Sequence, residues 1–278
     1  MIKNLVLAGS GARGIVYTSC LKVLDKYKLL ENLEIIVGTS MGALIGTLYN
    51  IGYSGKVLEK LFGEINIKKL LKITEDNLVD YFNVCGVMNF RDSLMKIVKK
   101  FFKHKDIDEN ITFIELYKKT KIKLVITGTN LTTGNLEYFN YETTPDMSVI
   151  LANEISACIP CYFTPIRYNK CVYVDGGILN NFPLNYISDD DKKYTIGLHT
   201  DNDNYNDLDI ENNIVDYIIS IYEITRCKIL TNDGYIIKLN PDIMILDFNI
   251  CKEDKIKCFE YGTNYMLKYI SMNMLDLF

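Results

Sequence analysis

Apolar residues fall in two rhythms along this chain. Short apolar runs at residues 5–8, 33–37, 123–129, 172–174 and 194–198, rich in Val and Ile, read as buried strands. Thr132-Thr133-Gly134-Asn135 is a turn signal, and 136–139 returns from it as a hairpin. Between these runs the apolar positions recur every three or four residues, which predicts helices. One carries Ile15, Val16, Cys20, Leu21 and Leu24; others cover 41–49, 148–157, 213–230 and 254–275. Pro160 and Pro165 interrupt the pattern and predict extended chain. The stretch 53–119 reads as mainly helical, with no further strong strand. A helix starting near 111 has Thr112 as cap with Glu115 three residues later. An outer strand is expected at 235–239 or 243–246, and the polar stretch 201–209 reads as a loop. With no internal repeat and no linker, the pattern predicts one α/β domain over 1–278: a mainly parallel central sheet flanked by helices.

Composition narrows the function. The 278 residues are 48% hydrophobic with net charge −4 and a pI near 5.4, which argues against a nucleic-acid partner. No apolar run reaches the length of a membrane span. The apolar start is too short for a signal peptide and stops at a glycine loop, so an intracellular, cytoplasmic protein is expected. Of eight cysteines, Cys158 and Cys161 have C-x-x-C spacing, but Pro160 lies between them and no second pair or histidine cluster follows. Reduced thiols are expected, with no metal and no cofactor.

Three glycine-rich stretches carry candidate chemistry. Gly38-Thr39-Ser40-Met41-Gly42 is a G-x-S-x-G pattern between a predicted strand and a predicted helix. Such a turn lifts the serine hydroxyl off the sheet and sets it at a helix N-terminus, where negative charge is favoured. A βα turn whose serine merely caps the helix has the same residues. Gly9-Ser10-Gly11-Ala12-Arg13-Gly14 follows the first strand and fits G-x-G-x-x-G. A dinucleotide site would need an acid at the end of the second strand, where Gly38-Thr39-Ser40 stands instead. The better reading is an anion loop beside Ser40, with the Gly11, Ala12 and Met41 N–H groups aimed at one oxyanion. Arg13 then holds the loop or adds charge near it, unless it is an ordinary surface arginine. Asp175-Gly176-Gly177 ends the strand at 172–174, at the sheet edge where ligands bind. The alternative is a turn aspartate capping local N–H groups.

A serine nucleophile needs a base, and the chain has two histidines, His104 and His199. One arrangement is a triad of Ser40, Asp175 and His199. The other is a dyad in which Asp175 takes the proton directly. An aspartate in water is a weak base, with a pKa of about 3.9, and burial raises it. The glycines around Asp175 suit an acid that must approach Ser40 closely, so the layout favours the dyad.

In this order and spacing the three stretches resemble the patatin-like phospholipases. Thr112-Phe113-Ile114-Glu115-Leu116, Ser156-Ala157-Cys158-Ile159-Pro160 with Phe163, and Asn181-Phe182-Pro183 are similar too. The likeness covers residues 1 to about 200, and the tail weakly through Tyr261-Gly262. It implies a three-layer α/β/α fold and lipid acyl hydrolysis by a Ser40–Asp175 dyad, with no metal in the chemical step. It further implies an oxyanion loop over Gly9, Ser10, Gly11, Ala12, Arg13 and Gly14 with Met41, and turn glycines Gly38, Gly42, Gly176 and Gly177. Ser10 departs from the family, which usually has glycine there. The implied partners are a phospholipid or other lipid ester and, transiently, a membrane surface. The rival expectation is a non-catalytic lipid-binding or regulatory protein of the same fold. For docking, Leu94, Ile97, Val98 and Phe101 fall at helical spacing, with Lys96, Lys99, Lys100 and Lys103 elsewhere around that helix. A membrane-surface helix and a core helix with a solvated basic face both fit.

Overall fold

The computed structural model describes residues 1–65, 86–88, 90–200, 235–245, 247 and 249–273. In chain order the elements are β1 (Asn4–Leu7), α1 (Val16–Lys26), β2 (Ile35–Gly38), α2 (Met41–Asn50), α3 (Gly55–Glu64), β3 (Gly86–Met88), α4 (Phe90–His104), α5 (Phe113–Thr120), β4 (Lys123–Asn130), β5 (Asn135–Phe139), α6 (Val149–Ser156), β6 (Cys161–Phe163), β7 (Ile166–Tyr168), β8 (Cys171–Asp175), β9 (Thr195–Thr200), β10 (Tyr235–Leu239) and α7 (Lys252–Met272). The helix expected at 213–230 and the loop expected at 201–209 lie outside the described residues.

Five strands form a parallel sheet in the order β10-β9-β1-β2-β4. The far half of β4 carries two more partners. Ile126 pairs with Gly38 of β2 and with Phe139 of β5, so those strands hold opposite edges of β4. Gly128 pairs with Glu137 of β5 and with Asp175 of β8. β8 therefore takes the edge of β4 that β2 leaves at Gly38, and runs the opposite way. β7 pairs antiparallel with β8. The result is a mixed eight-stranded sheet, parallel where the α/β units build it.

Both faces of the sheet are covered, which is why the central strands read as unbroken apolar runs. Leu5, Leu7, Ile36, Leu124, Ile126 and Leu198 belong to the larger core, with α1, α2 and α6. Val6, Ala8, Val37 and Val125 face a smaller one closed by Phe182, Leu184 and Ile187. α7 packs on α1 through Gly262. It also anchors α3, because buried Lys255 donates from Nζ to the carbonyls of Phe62 (3.0 Å) and Ile65. A lysine at a helix C-terminus satisfies carbonyls left without partners. Burial holds the Lys255 pKa below its ordinary value.

The structure refines one expectation and decides between two alternatives. The stretch 53–119 is not free of strands: Gly86 and Met88 pair in parallel with Cys161 and Phe163 of β6. A three-residue strand is too short to show a period, and only its distant partner defines it. The outer strand is 235–239, whereas Ile243 and Ile245 turn inward, 9% and 6% exposed. The capping box stands as expected. The Thr112 N–H donates to Glu115 Oε2 (2.9 Å), and the Glu115 N–H donates to Thr112 Oγ1 (3.4 Å). On α4 the core takes Met95, Val98 and Phe102. Lys96, Lys100 and Lys103 are left exposed, and Lys99 is paired with Glu109 at 3.1 Å. α4 is thus a core helix with a wet basic face.

Two glycines of this helical layer should answer oppositely to alanine. A methyl on Gly262 would sit 2.2 Å from Ser19 Oγ and 2.7 Å from Val16 Cγ2. Gly262→Ala is expected to cost about 1–3 kcal/mol. On Gly63 the nearest atom would be Phe259 Cε2 at 3.5 Å, an ordinary contact. Gly63→Ala is expected to stabilise by up to ~1 kcal/mol. Thermal melting of the two variants beside the parent checks the signs.

Candidate active site

β2 must end at Gly38, because the same edge of β4 is taken by β8 from Gly128 onward. The chain turns there into α2. A Cβ on Gly38 would lie 2.6 Å from Ala43 Cα, and one on Gly42 would lie 2.3 Å from the Leu7 carbonyl. Both glycines are needed for helix and strand to approach this closely. Ser40, at the crest, has φ +53° and ψ −122°, a conformation that L residues other than glycine rarely hold. Its surroundings enforce it. The Thr39 N–H donates to the Leu7 carbonyl (3.1 Å), the Ser40 N–H to Ser156 Oγ (2.9 Å), and the Leu44 N–H to the Ser40 carbonyl (3.1 Å). The Gly42 and Ala43 N–H groups go to the Thr39 carbonyl. Among the described residues no partner takes the Met41 N–H, which is presented at the helix start.

Asp175 ends β8, fully buried. Its level on β4 is two residues beyond that of Gly38, about 7 Å along the strand. Ser40 and Asp175 therefore belong to the gap where β2 and β8 meet end to end. The Asp175 N–H donates to the Cys158 carbonyl (2.8 Å), and its Oδ1 accepts from the Gly177 N–H (2.7 Å). A Cβ on Gly176 would collide with Thr127 Oγ1 at 2.1 Å. That same Thr127 hydroxyl lies 2.8 Å from Thr39 Oγ1. The stretch 156–158 thus fixes the backbone of both residues, and Thr39–Thr127 ties the serine turn to β4.

The glycine loop lies against Ser40. A Cβ on Gly9 would be 3.2 Å from Ser40 Cβ, and one on Gly14 would be 2.4 Å from Met41 Cγ. Gly9 and Asn181 are doubly bonded: the Gly9 N–H donates to the Asn181 carbonyl, and Asn181 Nδ2 donates to the Gly9 carbonyl, both at 3.0 Å. Gly11 has φ +50°, and a Cβ there would meet the Ile245 carbonyl at 2.2 Å. The Ala12 N–H donates to that carbonyl at 2.7 Å. It is thus engaged by Ile245, where the sequence suggested an oxyanion donor. Arg13 is 6% exposed, not a surface arginine, and its Nε donates to the Ile243 carbonyl at 2.6 Å. Of its two suggested roles, the bond is that of a loop anchor. Ser10 Oγ is hydrogen-bonded with Tyr17 Oη in the interior.

The histidines stand elsewhere. Asp175 shares a sheet face with its partner Gly128, the face covered by Phe139 and Ile155. His199 follows Leu198 onto the opposite face, its ring 5.4 Å from that of Phe182. Asp175 and His199 thus belong to opposite faces of the sheet. His104 lies on α4, with Nδ1 3.2 Å from Tyr53 Oη. Among the described residues, no group of three or more His, Cys, Asp or Glu side chains gathers to hold a metal ion, and no helix is long and apolar enough to cross a membrane.

A helix-capped serine turn, a glycine loop and a buried acid around one sheet edge define a class of protein. The sequence model of the patatin-like phospholipases matches residues 5–187, and the chain belongs to that family. An uncharacterised protein of Acanthamoeba polyphaga mimivirus is 31% identical over 277 residues, covering 94% of this chain and 91% of its own. A protein of Invertebrate iridescent virus 6, named a probable lipid hydrolase, is 35% identical over 184 residues, 66% of this chain and 62% of its own. Among solved structures, VipD from Legionella pneumophila superimposes with TM-score 0.66 at 18% identity, covering 98% of this chain and 67% of that one. ExoU from Pseudomonas aeruginosa, solved with SpcU, gives 0.52 at 17% identity, with 96% and 52% coverage. At such identity these two speak for the fold alone.

The strain at Ser40 gives a prediction independent of chemistry. Ser40→Gly removes the Cβ penalty at φ +53° and is expected to be more stable than Ser40→Ala by about 1–2 kcal/mol. Melting the two variants side by side tests it; equal midpoints would show that the turn holds no strain.

Proposed function

We propose that this chain is a serine acyl hydrolase that cleaves fatty-acyl esters of phospholipids or other lipids. The observation that carries the reading is Ser40, held at φ +53° on a strand-to-helix turn in the gap closed from the other side by Asp175. Ser40 Oγ attacks the ester carbonyl carbon and Asp175 accepts its proton. The Met41 and Gly11 N–H groups, with that of Ser10 beside them, stabilise the oxyanion. The C–O bond breaks, the leaving alkoxide takes the proton from Asp175, and an acyl-enzyme remains. Water then attacks the acyl carbon with Asp175 again as base, and Ser40 is restored. The Gly177 N–H on Oδ1 orients the carboxylate. Family membership and the lipid hydrolase name of a relative support the substrate class.

A fluorophosphonate probe reacts only with an activated serine, so wild type should be labelled and Ser40→Ala should not. Folded wild type that stays unlabelled returns the chain to a non-catalytic lipid-binding role. Asp175→Asn should lower turnover by about 10²–10⁴-fold, while His199→Ala should cost less than tenfold. A larger loss for His199→Ala, in protein folded by circular dichroism, would restore histidine to the mechanism.

Lipid esters must be reached in a surface. Lys96, Lys100 and Lys103 form an exposed basic face on α4, and each lysine near an anionic surface contributes about 1 kcal/mol, screened by salt. Changing all three to Gln should reduce hydrolysis of anionic vesicles while sparing a short soluble ester. Loss of both activities, or of neither, would place docking elsewhere.

A further inference from the structure

Ser10 is the one hydroxyl side chain within the loop Gly9–Gly14, and the structure shows where it goes. Ser10 is fully buried, and its Oγ is hydrogen-bonded with Tyr17 Oη and lies 3.4 Å from the Ala8 carbonyl. The hydroxyl therefore points into the core. Tyr17 stands two residues into α1 and is itself fully buried. A seryl Oγ is only one rotatable bond from the backbone. Pinning it fixes the peptide on either side of Ser10, and with it the direction of the Ser10 and Gly11 N–H groups. A glycine there would leave both free to rock.

We propose that Tyr17 is a positioning residue for the oxyanion loop, acting through Ser10, and that the two residues form one functional unit. The inference rests on the acyl-hydrolase reading. Oxyanion donors help most when already aimed before charge develops, and a loop held at its second residue does not have to reorganise. Ile245 on Ala12 and Ile243 on Arg13 brace the far side of the loop, and Asn181 holds Gly9. The Ser10–Tyr17 bond holds the near side, next to Gly9 and Ser40.

A double-mutant cycle with Tyr17→Phe, Ser10→Gly and the pair tests this on a soluble ester. Tyr17→Phe keeps the ring and removes only the hydroxyl. It should lower kcat roughly fivefold at unchanged KM, the scale of one hydrogen bond. Ser10→Gly should lower kcat to a similar degree. The double variant should be no worse than either single one, because both remove the same bond. Rescue of the Ser10→Gly defect by Ser10→Thr, which restores the hydroxyl, would support the unit further. A purely structural role predicts lower melting temperatures with kcat untouched, and independent roles predict multiplying losses; either overturns the proposal. Failure of the enzyme reading is distinguishable, since wild type itself would then neither hydrolyse ester nor take the fluorophosphonate label, and both readings would fall together.

Discussion

Two strands compete for one edge of β4, and the rest of the site follows from how they share it. β2 holds that edge as far as Ile126, and β8 holds it from Gly128 onward in the opposite direction. Neither can extend without displacing the other. The backbone of each must leave the sheet at the boundary, one into α2 through Ser40 and the other into a tight turn through Gly176. Hydrogen bonds that the ladder no longer supplies are found nearby, from Ser156 and the Cys158 carbonyl. An unpaired backbone group is costly when buried, so these two partners are a condition for the gap to exist. The strain at Ser40 is the residue of that compromise.

The sequence carried much of this, unevenly. The central strands were legible because both faces of the sheet are buried, which turns them into apolar runs. The capping box was legible because its two side chains lie three residues apart. The glycines were legible as motifs, and their cause is now visible as near-collisions with Leu7, Ala43 and Thr127. What could not be read is what arrives from far along the chain. β3 has meaning only beside β6. Ile243 and Ile245 looked like an edge strand, because a strand and an inward-turned strap show the same alternation. The inward aim of α4's Met95 and Phe102 was missed for a similar reason: a helix with apolar residues around much of its circumference does not say which stripe the core will take. The engagement of the Ala12 N–H by a carbonyl 233 positions later leaves no local trace.

The glycine loop is better understood as a bracket than as a flexible anion cradle. Each of its positions has an identifiable constraint. Gly9 is doubly bonded to Asn181, Ser10 is bonded with Tyr17, Gly11 is pressed against Ile245, and Arg13 is anchored on Ile243. Glycine here serves close approach, not mobility. That explains how a serine is tolerated in the middle of the loop: its side chain found a partner on the inner side, where the core had a hydroxyl to offer.

The strap at Ile243 and Ile245 has a consequence in time. The chain is made from its N-terminus, so the glycine loop and the serine turn leave the ribosome long before the carbonyls that brace the loop. Loop closure over more than two hundred residues is slow and entropically costly. A nascent chain that stops short of residue 243 has the serine turn but only half of the bracket around it. The loop of the folded protein is therefore complete only after residues 243–245 have been added, an order of assembly imposed by the direction of synthesis.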